Sequence, residues 1–105
     1  MPRHYQARIL SESEGVVTVG IDFGDPAQNN VLVPEATQAL AALSLKGGRG
    51  IRFNGPTSVP VAMALSHAVS HLYEFVACFD PKLNHYVVAV SHAPSPRPGE
   101  LLPAE

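Results

Sequence analysis

The stretch from Gly50 to Phe79 constrains this chain more than any other. It opens with a short β-forming run, Gly50-Ile51-Arg52-Phe53, and a turn at Asn54-Gly55-Pro56. A helical run to about His71 or Leu72 follows, and then a second β-forming run, YEFVACF, at 73–79. Thr57 or Ser58 supplies an N-cap, and Val61, Leu65, Ala68 and Leu72 repeat at helical spacing. Two strands joined by one crossover helix lie parallel, and such a crossover is right-handed. A parallel pair at the centre of the chain already excludes an all-antiparallel meander and an all-helical bundle.

The flanks fill in the rest. Residues 5–11 alternate weakly, residues 15–21 are rich in β-branched side chains, and Glu12-Ser13-Glu14-Gly15 between them reads as a hairpin turn. Phe23 to Val33 carries Gly24, Pro26 and Asn29-Asn30 and reads as a loop. Pro34-Glu35 then opens a helix, with Pro at the first position and an acid in the first turn. Leu40 and Leu43 face its core side, and Lys46-Gly47-Gly48 ends it. Beyond the crossover unit, Asp80 to Asn84 is a turn and residues 85–91 return antiparallel. Four prolines between Pro94 and Pro103 make 94–105 an edge segment or tail, set apart from a domain at 1–93. The predicted order is ββαβαββ. It implies an α+β domain with a mixed sheet and both helices on one face, a variant of the ferredoxin-like arrangement.

Composition narrows the function. With 105 residues, 46% apolar and 15% charged, the chain suits one modest core. A net charge of −2 argues against a general nucleic-acid coat protein, though not against a small phosphate ligand held by local groups. The single cysteine, Cys78, has no internal disulfide partner, which suits a reducing cytoplasm. Its apolar surroundings favour inert core packing over a nucleophile. No apolar stretch reaches the ~20 residues of a bilayer span, and no secretory leader opens the sequence.

Four of the five histidines fall between residues 66 and 92. His67 and His71 are four apart and share a helix face, a spacing that suits a shared transition metal. It equally suits a surface histidine and one favoured by the helix C-terminal dipole. Asp80 and Lys82 stand in Phe-Asp-Pro-Lys-Leu, where Asp before Pro is ordinary turn chemistry. His85 and His92 are seven apart, hence on opposite faces of a regular strand. His4 near the N-terminus carries no assigned role. Gly55, Pro56, Thr57 and Ser58 join a strand end to a helix start, where free N–H groups favour an anion. Lys46 and Arg49 add cations around three glycines, in a segment that also reads as a helix stop and solvated turn.

Taken together, Gly55-Pro56, the His67/His71 helix, FVACFDPKL and YVVAVSH resemble the CRISPR-associated Csx-three family, small ring nucleases of type III CRISPR systems. The likeness is good over about residues 48 to 92 and rests on pattern alone for the first two strands. RPGELL at 97–102 resembles a final strand of the family. Asp-Pro-Lys-Leu framed by two histidine elements is its most specific part.

The resemblance implies a manganese-dependent phosphodiesterase that opens cyclic tetra-adenylate into linear di-adenylate and so switches off type III antiviral signalling. It implies a homodimer, with the ring sandwiched so that opposite subunits complete one site. His71 matches the family's catalytic histidine, Asp80 its catalytic aspartate, and His92 the Ser-His histidine. Lys82 stands where the family usually has Arg, keeping the charge and losing the bidentate fork. His67, His71 and Asp80 are the candidate manganese ligands, although the family's preceding histidine sits three rather than four positions before the catalytic one. Gly55, Pro56, Thr57, Ser58, Arg49 and His92 are the candidate ligand contacts. Other readings stay open: a sensor or sequestering module for cyclic oligoadenylate, a manganese-dependent 3′ exoribonuclease acting on adenylate ends, or a structural domain whose histidines only titrate. Some family members carry a fused ATPase-like domain, so a separate or fused partner of that kind is a further expectation.

Overall fold

The computed structural model describes residues 3–104. Strands β1 (Tyr5–Ser13) and β2 (Val16–Phe23) form an antiparallel hairpin. Helix α1 (Asn29–Ala41) leads to β3 (Gly48–Asn54), and helix α2 (Val59–Val69) to β4 (Tyr73–Asp80). β5 (His85–Ser91) returns beside β4, and β6 (Leu101–Pro103) closes the edge. All six strands lie in one sheet in chain order, β1-β2-β3-β4-β5-β6. β2–β3 and β3–β4 are parallel, and the outer pairings are antiparallel.

The α+β class, mixed sheet and packed helices are as the sequence implies. The ferredoxin-like comparison stops at connectivity: the parallel partners here are direct neighbours, whereas a split βαβ unit inserts a strand between them. Two crossovers of one hand, stepping the same way across the sheet, put both helices on the same face. Their buried residues Leu32, Ala36, Leu40, Val61, Leu65 and Val69 join Val17, Val19, Ile21, Ile51 and Phe53 in one core. Phe75, Ala77, Tyr86 and Val88 form a smaller cluster with Leu102, built of strand residues without either helix. The alternation Ile51 in, Arg52 out, Phe53 in marks the two faces of β3.

Local chemistry explains several boundaries. Glu14 and Gly15 form the hairpin turn, both with positive φ (51° and 81°), as a type I′ turn requires. Helix α1 starts earlier than Pro34-Glu35 suggests: Gln28 is the N-cap, and its carbonyl receives Val31 and Leu32 N–H at 3.0 Å. Pro34 therefore lies inside the helix, where it deprives the Asn30 carbonyl of its usual i+4 donor. The helix ends at Ala41, before Lys46-Gly47-Gly48. Of the two candidate caps for α2, Ser58 takes the role and accepts from Val61 N–H at 3.4 Å. α2 ends at Val69, so His71 stands in the turn after the helix.

Glu35 is no first-turn acid. It accepts from the Arg3 and His4 N–H groups, each at 2.8 Å, and from the His4 ring at 2.6 Å. These bonds, the backbone donors of His4 foremost, hold its carboxyl down to about 2. His4, unassigned in the sequence, is thus half of a clasp between the start of β1 and α1. Cys78 also departs from expectation. It is exposed rather than in the core, bordering an apolar cavity of about 210 Å3 with Met63, Ser66 and Ala89. Desolvation pushes its thiol up, which opposes thiolate formation. No helix among the described residues is long and apolar enough to cross a membrane.

Candidate functional site

Strand direction sorts the candidate residues into two groups. β2, β3 and β4 run parallel, so their carboxyl ends share one edge of the molecule and their amino ends the other. Both helices start at the carboxyl edge and run back.

Gly55 to Ser58 lie at the carboxyl edge, directly after β3. Gly55 has φ of 143°, and a Cβ there would run into the Ile21 carbonyl, so glycine is dictated by both conformation and space. The Pro56 carbonyl is anchored by the hydroxyl of Tyr5, a fully buried ring, at 2.7 Å. Ser58 Oγ donates to Asn29 Oδ1 at 2.7 Å and thereby ties together the starts of α2 and α1. Two helix N-termini therefore lie side by side with their positive dipole ends. In α2, Pro60 has no N–H and those of Val61 and Ala62 are taken by Ser58, which leaves the Val59 N–H. In α1, those of Val31 and Leu32 are taken by Gln28, which leaves Asn29 and Asn30.

The turn after β4 occupies the same edge. Asp80 Oδ1 accepts from the N–H groups of Lys82 at 2.9 Å and Leu83 at 3.4 Å, which is an Asx turn. Lys82 is exposed there. The His85 ring is occupied within the turn, where Nδ1 donates to the Leu83 carbonyl at 2.8 Å.

His67, His71, His92 and Arg49 lie at the opposite, amino edge. The rings of His67 and His71 stand edge to face, 6.4 Å between centroids, and both residues are exposed. His92 is fixed rather than free. Its N–H donates to the Glu74 carbonyl at 2.7 Å, and its ring Nε2 donates to the Ser70 carbonyl at 2.9 Å. That second bond braces the turn that carries His71. Arg49 begins β3 at this edge and borders a groove on the sheet face without helices.

One strand thus separates the two principal candidates. His71 precedes β4, Asp80 ends it, and at ~3.3 Å per residue the eight-residue strand holds them about 20 Å or more apart. No side chains of His, Cys, Asp or Glu gather in threes as a metal site among the described residues. Within a single chain, His67 and His71 offer two imidazoles and Asp80 is remote, with one oxygen already engaged. A manganese site therefore does not fit inside one subunit. A bulge between Val88 and Val90 breaks the regular alternation expected of β5, so His85 and His92 are separated by lying at opposite ends of the strand rather than by face.

Sequence reasoning passed over a third arrangement, on the helix-free face. Arg52 Cζ stands over the Tyr86 ring, 4.1 Å from its centroid, and the Thr18 hydroxyl accepts from its Nε and Nη2, each at 3.1 Å. Thr18 is the one buried polar residue of the described core. The signal was present in Ile51-Arg52-Phe53, a charge between two buried neighbours on a central strand.

The profile of the family CRISPR-associated protein (Cas_csx3) matches residues 26–103. That span contains both helices, β3 to β6 and every candidate residue named from the sequence resemblance. The chain belongs to this CRISPR-associated family. Among curated proteins, none matches it.

Proposed function

We propose that the protein is a ring nuclease that opens cyclic tetra-adenylate to linear di-adenylate and so quenches type III CRISPR signalling. The observation that carries the reading is the separation of His71 from Asp80 and Lys82 across the length of β4. Residues that serve one reaction but occupy opposite edges work together only when two subunits meet edge to edge. A flat ring with four phosphates is a ligand that such a junction encloses from both sides.

Each group then has a task. The N–H groups of Gly55, Thr57 and Ser58 and of the adjoining helix starts receive phosphate oxygens, with Pro56 shaping the turn. Lys82 neutralises the charge that builds on the scissile phosphate, and Arg49 and His92 steady the ring on the other side. His71 moves a proton at the ribose or leaving oxygen, work suited to an imidazole near neutral pH. Asp80 keeps its turn and directs its second oxygen outward. His67 of one subunit and Asp80 of another would hold manganese, which leaves the His71 imidazole free to move the proton. A divalent ion held by these residues would supply further charge stabilisation.

The test is incubation of labelled cyclic tetra-adenylate with purified protein, with and without manganese, beside a linear oligo-adenylate. Loss of the ring that depends on manganese supports the proposal. An intact ring with saturable binding replaces it with a sequestering module, and shortening of the linear control alone replaces it with a 3′ exoribonuclease.

A further inference from the structure

The helix-free face carries a groove of about 480 Å3 between the β1–β2 hairpin and the C-terminal segment. Ser11, Ser13, Thr18 and Ser95 line it together with Arg49 and Arg52. Its apolar lining residues are the buried Phe75 and Pro96 and the half-buried Leu102. Its size falls in the range of small-ligand pockets.

Arg52 is held in place before any ligand arrives. Three of its five N–H donors are engaged: Nε and Nη2 with Thr18 Oγ1, and Nη1 with the Pro103 carbonyl at 3.0 Å. The Tyr86 ring supports the guanidinium plane from below, and Asn54 Nδ2 donates to the Tyr86 hydroxyl at 3.2 Å. Two N–H donors stay available on a cation that has already lost its rotamer freedom, so a ligand meets it at little entropic cost. Arg49 makes no side-chain hydrogen bond or ion pair among the described residues. Glu100 is the acid on the rim, and its Oε1 is engaged by the Arg97 N–H at 2.8 Å. Two arginines against one partly engaged carboxylate leave the groove cationic.

We propose that this groove is a binding site for a nucleoside phosphate, with phosphate oxygens on Arg49 and the free edge of Arg52, and the base against Leu102. Hydroxyls with both donor and acceptor capacity suit a ribose better than a bare apolar ligand. The proposal does not rest on ring opening. The groove shares Arg49 with the proposed ring contacts, but it lies on the sheet face away from the helices and its lining excludes His67, His71, Asp80 and Lys82.

The experiment is calorimetric titration of the full chain with adenosine 5′-monophosphate, adenosine and inorganic phosphate, with amide shifts followed in parallel by NMR. The monophosphate is expected to saturate and to shift the amides of Arg52 and Phe75, binding more tightly than either fragment. Inorganic phosphate binding as tightly as the nucleotide would reduce the site to an anion hole and overturn the proposal. Arg49→Ala is expected to weaken the nucleotide about tenfold or more, since it removes a charge-assisted contact. Arg52→Lys keeps the charge but loses the fixed plane, and it is expected to weaken binding similarly. Arg52 also supports Tyr86, and Arg49 is also a proposed ring contact. The Arg49 variant therefore decides together with loss of the nucleotide-induced Arg52 and Phe75 amide shifts, which place the effect at the groove, with its thermal midpoint measured alongside. No saturable nucleotide binding, or binding indifferent to Arg49→Ala, refutes the proposal.

Discussion

Asp80 has two separable duties, and substitution tells them apart. Its Oδ1 accepts from two backbone donors that would otherwise face solvent at a turn leaving a central strand. An Asn side chain keeps that acceptor and removes the charge. Ala removes both. By analogy with loss of a side-chain cap, Asp80→Ala should cost about 1 kcal/mol, within a range of roughly 0.5–2. In a domain of this size that lowers the thermal midpoint by about 4–8 °C per kcal/mol. Asp80→Asn should stay within about 0.5 kcal/mol of the parent. Turnover of cyclic tetra-adenylate should fall in both, because both lack the carboxylate charge. Circular dichroism melts and a ring-opening assay on the same three samples decide the matter. If Asn melts as early as Ala, the turn depends on charge rather than on the acceptor, and the reasoning fails. If Asn melts normally and retains turnover, Asp80 is a turn residue alone.

Other consequences follow from the same contacts. His71→Ala, at an exposed position after α2, should abolish turnover with an unchanged melting curve; a large loss of stability would make its role structural. Glu35→Gln should reduce stability most above pH 4.5. A carboxyl held down to about 2 stabilises the fold when ionised, so its contribution fades as pH falls from about 4.5 toward 2, and the parent and variant melts should converge there. Tyr5→Phe should cost about 1 kcal/mol through loss of the bond to the Pro56 carbonyl and should loosen the Gly55–Ser58 turn, read as faster amide exchange at Thr57 and Ser58; unchanged exchange there would contradict the anchoring role. Lys82→Arg should raise turnover by restoring a bidentate phosphate contact, and a fall would mean that the shorter cation is the better fit.

Much of the fold was legible because its signals are local. The β-branched run at 16–21, the capped apolar period of α2 and the Asp80–Asn84 turn each name their own element. Pro34 misled because proline is favoured at a helix start, yet here the Gln28 carbonyl begins the helix a turn and a half earlier. The helix stop after Val69 had no glycine to announce it, so His71 read as helical. The candidate residues were legible one by one, but their arrangement was not. Nothing in the spacing of His71 and Asp80 says that they bracket a single straight strand; that fact belongs to the register of β4 in the sheet. The His4–Glu35 clasp and the Thr18–Arg52–Tyr86 stack join residues 31 to 34 positions apart or on separate strands, and only the folded topology brings them together.

The account turns on a site that no single subunit completes, and complementation tests it most directly. His71→Ala and Asp80→Asn protein would each be assayed for ring opening alone, then mixed across a range of ratios. A mixed junction joins the intact His71 of one variant to the intact Asp80 of the other. The account predicts two inactive samples whose mixture regains turnover, with a maximum near equal amounts. Folded variants that bind the ring yet stay inactive at every ratio would contradict it.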